Sequence, residues 1–256
     1  MNLFRVCGIQ LSLHASFLLL LGYVAWEGWA GAGWIGAGWM LLSITGVFAC
    51  VTLHEFGHIA AARSFGIRTP RILLMPIGGM AEMDSIPRRP RDEIIIALAG
   101  PAVNYLLIGV LLLFVRFPAN WNDWAYLELS PMGLGRYLVL ANLVMGVFNL
   151  LPAFPMDGGR VFRALLAMRF PYLRATRIAA HTGKVIAVAA ASALVFYVHN
   201  YLGAVLFAFI IFAGQRELRA VARQEEDDAH WRVITSRFPR LMPVSSVENP
   251  PAIRST

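Results

Sequence analysis

The chain has 256 residues, of which 58% are hydrophobic and only 14% charged, with a mean hydropathy of +0.61. An ordinary soluble domain carries about 25% charged residues, so this composition excludes one and points to a polytopic membrane protein. The net charge of +7 is no signature of nucleic-acid binding, because the basic residues are almost all arginines in the gaps between apolar runs, where they read as topology signals.

Six apolar segments follow one another at about 9–26, 39–62, 94–115, 137–151, 178–198 and 201–214. Arg5 precedes the first, and Trp29-Ala30-Gly31-Ala32 offers small residues of the kind a signal peptidase cleaves. A retained first span fits better with an even number of spans. The 63–93 loop carries Arg63, Arg68, Arg71, Arg88, Arg89 and Arg91, and the 152–177 connection carries Arg160, Arg163, Arg169, Arg174 and Arg177. Cytoplasmic loops retain positive charge, so both connections are expected inside. The 27–38 loop, whose one charge is Glu27, and the 116–136 loop, where Arg116 and Arg136 are offset by Asp123 and Glu128, are expected outside. Arg5 and the group Arg216, Arg219 and Arg223 then place both termini in the cytoplasm. The expected organisation is a six-span domain over 1–214 and a charged cytoplasmic tail over 215–256, helical at first and then disordered.

The second segment contains His54-Glu55-Phe56-Gly57-His58. On a helix, residues four apart point along nearly the same direction, so His54 and His58 can share one cation, while Glu55 stands beside them to take a proton from a bound water. Ionisable groups inside a span are costly and mark function. The competing reading is a pair of buried histidines hydrogen-bonded to a neighbouring helix. With Arg63 nine residues further on, His54 lies roughly 13 Å below the cytoplasmic boundary.

A catalytic zinc takes three protein ligands and keeps one position for water. Asp157 is the best third candidate, in the run Asn149-Leu150-Leu151-Pro152-Ala153-Phe154-Pro155-Met156-Asp157-Gly158-Gly159-Arg160, where prolines end a helix and glycines permit unusual backbone. Irregular backbone at membrane depth survives only in a protein interior or beside a wet cavity. Asp157 can also be read as a plain helix N-cap. Cys50, one turn before His54, and the loop acids Glu82 and Asp84 are weaker candidates; Cys7 and Cys50 are too few and too far apart to suggest a disulfide framework.

Together, HEFGH in an apolar helix and NLLPAFPMDGGR much later resemble the site-2 protease family of intramembrane zinc metalloproteases, peptidase family M50. The segments Pro76–Met83 and Ala99–Asn104 are similar to that family's glycine-bearing hairpin and to the start of its third span. The resemblance covers about residues 1–223. It implies His54, His58 and Asp157 as ligands of one zinc ion per chain, Glu55 as general base, and Asn149 as a group that binds substrate or stabilises the oxyanion. It further implies that Gly78, Gly79 and Asn104 bind substrate. The fold expected is an all-α membrane protein of about six spans with a short β-hairpin at 73–83 near the site, although Pro76, Gly78 and Gly79 also suit a simple loop. Neither the CBS pair nor the PDZ domain that many relatives carry is evident. The expected activity is hydrolysis of a membrane-spanning protein in regulated intramembrane proteolysis. The expected location is a prokaryotic plasma membrane, with the lipid bilayer and a membrane-spanning protein substrate as partners and no nucleic acid. A zinc transporter or a non-catalytic zinc-binding membrane protein is the alternative, but the polar residues gather at one depth instead of along a through-path.

Overall fold

The computed structural model describes residues 2–6, 8–76, 78–82, 89–116, 129–196, 199 and 201–237. The elements run β1 (Asn2–Val6), β2 (Ile9–Leu13), α1 (Ser16–Ser64), β3 (Arg71–Met75), β4 (Gly78–Glu82), α2 (Pro90–Leu112), α3 (Pro131–Asn149), α4 (Asp157–Ala167), α5 (Tyr172–Phe196) and α6 (Tyr201–Arg237). Among the described residues four helices, α1, α2, α3 and α5, are long and apolar enough to cross a membrane. The chain divides into two compact units, one of residues 1–151 and 156–164, the other of 152–155 and 165–256.

Although α1 counts as one element of 49 residues, it is a helical hairpin. Ala32 (φ −145°, ψ 29°) and Gly33 (φ 60°, ψ −150°) leave the helical region, and the positive φ at position 33 is one that glycine adopts without strain. The two arms return along each other: the Phe17 and Phe48 rings meet edge to face with centroids 4.5 Å apart. At the turn the backbones come so close that a β-carbon on Gly28 would stand 2.6 Å from the Gly36 carbonyl oxygen.

The hairpin is also the crossover of a small sheet. Strand order is β1-β2-β3-β4, with β1/β2 and β3/β4 antiparallel and β2/β3 parallel, Gln10 opposite Arg71 and Leu13 opposite Leu74. Parallel neighbours need a long connection, and α1 is that connection. Ile9, Leu11, Ile72 and Leu74 pack on Ile59, with Val51 and Phe56 at the margin. One face of the second arm of α1 thus rests on the sheet. A second cluster of Ala62, Ile67 and Ile96 joins the end of α1 to α2.

The strands change two expectations. The chain is not all-α with an isolated hairpin: the 73–83 segment forms strands β3 and β4, but it belongs to a four-stranded sheet. The first apolar segment, expected as a span from residue 9, begins instead with a strand, and its helix starts at Ser16. Ile-Gln-Leu-Ser-Leu buries Ile9 and Leu11 on one face with a period of two, but such a short stretch merges with the helix that follows it. The helix α3 starts at Pro131, earlier than expected, because Ser130 accepts a cap from the Gly133 N–H at 3.0 Å. In the second unit α5 and α6 pack together, and Glu225 Oε1 accepts the Leu173 N–H at 3.2 Å. The last helix, α6, continues past residue 214, where the charged tail is expected to begin, and runs to Arg237; residues 238–256, and Asp84, lie outside the described residues.

Candidate metal centre

Spacing of four along the second arm of α1 produces two stripes. Cys50, His54 and His58 are all buried, whereas the next stripe, Val51, Glu55 and Ile59, turns toward the sheet. His54 and His58 are each 4% exposed. Their rings stand at 85° with centroids 4.7 Å apart, and the two Nε2 atoms are 3.0 Å from each other. Asp157, the first residue of α4, brings its Oδ2 to 3.3 Å from both Nε2 atoms. Position 157 is set from behind, since a side chain at Gly158 would overlap the carbonyl oxygens of Leu150 and Leu151. The donor atoms of His54, His58 and Asp157 all lie within 4.8 Å of one another.

The other ring nitrogens decide what these three groups can do. His58 Nδ1 lies 2.7 Å from the Ile96 carbonyl oxygen, which only accepts, so Nδ1 carries the proton. His54 Nδ1 lies 2.5 Å from Asn104 Oδ1. That amide is oriented in turn: Asn104 Nδ2 donates to Asn142 Oδ1 at 3.1 Å, and Asn142 Nδ2 donates to the Leu138 carbonyl at 2.8 Å. A backbone carbonyl at the end of the relay therefore fixes the direction of every bond in it, and His54 also donates from Nδ1. Both Nε2 lone pairs are left facing Asp157, whose Oδ2 is buried without a hydrogen-bond partner. Three electron pairs crowded into a buried space repel each other unless a cation sits among them, so the donor set fits a metal ion. Nitrogen and carboxylate donors in this number suit zinc.

Close approach of α2 makes the arrangement possible. A β-carbon at Gly57 would come 2.6 Å from the Ala99 carbonyl oxygen, and one at Gly100 would collide with the His58 ring and stand 2.7 Å from His54 Nε2. Glycine in the HEFGH run and glycine in AGPAVN are the places where the helices touch.

Glu55 is half-buried and lies against β4, where a β-carbon on Gly79 would come 2.9 Å from its Cγ. Gly78 has φ +136°, which a residue with a side chain adopts only under strain, and pairs with Met75 to close the hairpin. Asn149 ends α3 and is half-buried; among the described residues no hydrogen bond ties it to the three donors. Asn104, expected to bind substrate, is fully buried, and both ends of its amide are engaged by protein groups, the oxygen by His54. Cys50 is buried but does not join the donors, and Glu82 sits in β4 opposite Arg71. Missed from the sequence was Asn142, although a polar residue in the fourth apolar segment was its available signal.

Fold and donors together define a metal centre built between helices of a membrane protein. The chain belongs to peptidase family M50, whose model matches residues 42–121 and 125–190. It is 38% identical over 224 residues to zinc metalloprotease MJ0392 of Methanocaldococcus jannaschii, a match covering 86% of this chain and 61% of that protein. It is 28% identical to stage IV sporulation protein FB of Bacillus subtilis, covering 73% of this chain and 61% of that one. Its fold is similar to the solved structure of the site-2 protease from Methanocaldococcus jannaschii, with a TM-score of 0.61 and 34% identity over 85% of this chain and 94% of that one. The chain thus spans about three fifths of the length of these two relatives.

The relay yields a prediction. Asn104→Ala removes the acceptor for His54 Nδ1 and is expected to weaken zinc binding about 10- to 100-fold with helical content unchanged, and Asn142→Ala to act in the same direction more weakly. Titration of purified protein against a competing chelator measures this; wild-type affinity in both variants would remove the relay from the metal site.

Proposed function

We propose that this chain is a zinc-dependent intramembrane endopeptidase that hydrolyses a peptide bond of a membrane-spanning protein near its cytoplasmic side. The observation that carries the reading is the lone-pair convergence of His54, His58 and Asp157 with Glu55 on the same turn. The zinc metalloprotease name of the relative MJ0392 supports it.

His54, His58 and Asp157 would hold a zinc ion, which when bound would supply a Lewis acid and a water that is nucleophilic near neutral pH. Glu55 accepts the proton of the attacking water and returns it to the leaving amine. Asn149, at the end of α3, donates its amide to the substrate or to the oxyanion that develops. A substrate helix hides its carbonyls in its own hydrogen bonds, so it has to be drawn out locally. The outer edge of β4 accepts an extended segment by strand addition, and Gly79, which has no side chain to displace Glu55, keeps that edge close to the general base.

For the membrane path, the two arms of α1, then α2, α3, α5 and the first part of α6, supply six spans. The arginine-rich connections at 63–93 and 152–177 and both termini lie in the cytoplasm. Single cysteines at Arg89 and Arg169, in a background without Cys7 and Cys50, are expected to react with an impermeant reagent only from the cytoplasmic side, and one at Leu129 only from outside. Labelling of position 89 from outside would invert the orientation.

Glu55→Gln separates a protease from a zinc carrier. It keeps the three donors, so zinc content is expected to match wild type, while cleavage of a reconstituted single-span substrate falls by about 10²- to 10⁴-fold. Zinc flux into vesicles by wild type without cleavage of any of several substrates would contradict the proposal.

A further inference from the structure

Glu93, in the first turn of α2, and Arg163, in α4, are 3% and 2% exposed. Arg163 Nε donates to Glu93 Oε1 at 2.8 Å, and its Nη2 reaches the same oxygen. Neither residue has a role in the chemistry above. Desolvating two charges is costly enough that an apolar pair of similar volume often serves stability as well or better, so the pair is unlike a simple filler. Its place in the fold is informative. Arg163 shares a helix of 11 residues with Asp157, six residues further along. Glu93 lies on the helix whose Ile96 carbonyl and Asn104 amide orient the two histidines. The first turn of α4 holds Gly158 and Gly159, which bring no side chains to pack. Apolar contacts alone let a short helix rotate or slide, whereas a guanidinium bonding one carboxylate oxygen from two nitrogens fixes both rotation and register.

We propose that Glu93 and Arg163 are positioning residues: their buried pair clamps α4 to α2 and so holds the Asp157 carboxylate against the histidine pair. This rests on Asp157 being a metal ligand. The same helix, α2, then references all three donors, two through hydrogen bonds to the imidazoles and the third through the clamp.

The test replaces the pair with apolar residues, Glu93→Leu with Arg163→Met, which tends to leave a fold as stable as before. Three quantities are read on the full chain in detergent: thermal melting, zinc affinity, and the distance distribution between spin labels at Ile95→Cys on α2 and Val161→Cys on α4 in metal-free protein lacking Cys7 and Cys50. The expected result is wild-type melting, a broadened distance distribution and zinc binding weakened about 10- to 100-fold. Wild-type affinity with a wild-type distance distribution overturns the clamp. Arg163→Lys keeps the charge but loses the fork, and it is expected to fold and to fall between the two. If the double variant does not fold, Arg163→Lys decides alone, and a distance width and affinity equal to wild type overturn the clamp. The label distances need no metal, so a wild type that takes up no zinc counts against the metal reading while the widths still judge the clamp.

Discussion

Two backbone carbonyls govern the centre of this protein. A carbonyl can only accept, so the oxygens of Ile96 and Leu138 dictate the direction of each hydrogen bond that leads to the imidazoles, one directly and one through Asn142 and Asn104. The consequence is electrostatic. With both Nδ1 atoms donating, the Nε2 lone pairs point at each other and at the Asp157 carboxylate, all at 3.0–3.3 Å. Water does not screen such a place well, and charges there interact several times more strongly than at a surface. A divalent cation converts that repulsion into coordination.

Everything that sets these distances depends on two helices touching. Gly57 on α1 and Gly100 on α2 remove the side chains that would hold the helices apart, and α2 then delivers the Ile96 carbonyl and the Asn104 amide. The second arm of α1 meanwhile divides its faces. His54 and His58 turn inward, whereas Glu55 sits half-buried at the margin of the sheet beside Gly79. Polar groups placed among apolar helices must find internal partners, and Asn104 and Asn142, both fully buried, find them in each other.

Sequence periodicity exposed what repeats over many residues. The long apolar runs all appear in helices, although the starts move to Ser16, Pro131 and Tyr172 and the last helix extends to Arg237, and the spacing of four in HEFGH places both imidazoles on one face. Asp157 was legible through the prolines and glycines that break the chain around it. Short-range patterns were ambiguous: Ile9–Leu13 is apolar enough to be absorbed into the span that follows, so the first two strands were hidden. Partners distant in sequence were hidden for another reason. Glu93 and Arg163 stand 70 positions apart, and Arg163 reads as one more cytoplasmic arginine until the fold buries it against the acid. Asn104 was visible as a motif residue, but only the geometry brings its amide oxygen to His54.

The most direct measurement of this centre is zinc-edge X-ray absorption on the purified chain. Two imidazole nitrogens and oxygen donors at distances near 2.0–2.2 Å, with one zinc per chain and no sulfur scatterer, are the result that the lone-pair geometry of His54, His58 and Asp157 predicts. A sulfur shell near 2.3 Å would bring Cys50 into the site, and a spectrum with a single imidazole would mean that the histidine pair does not share a metal; either result would contradict the account.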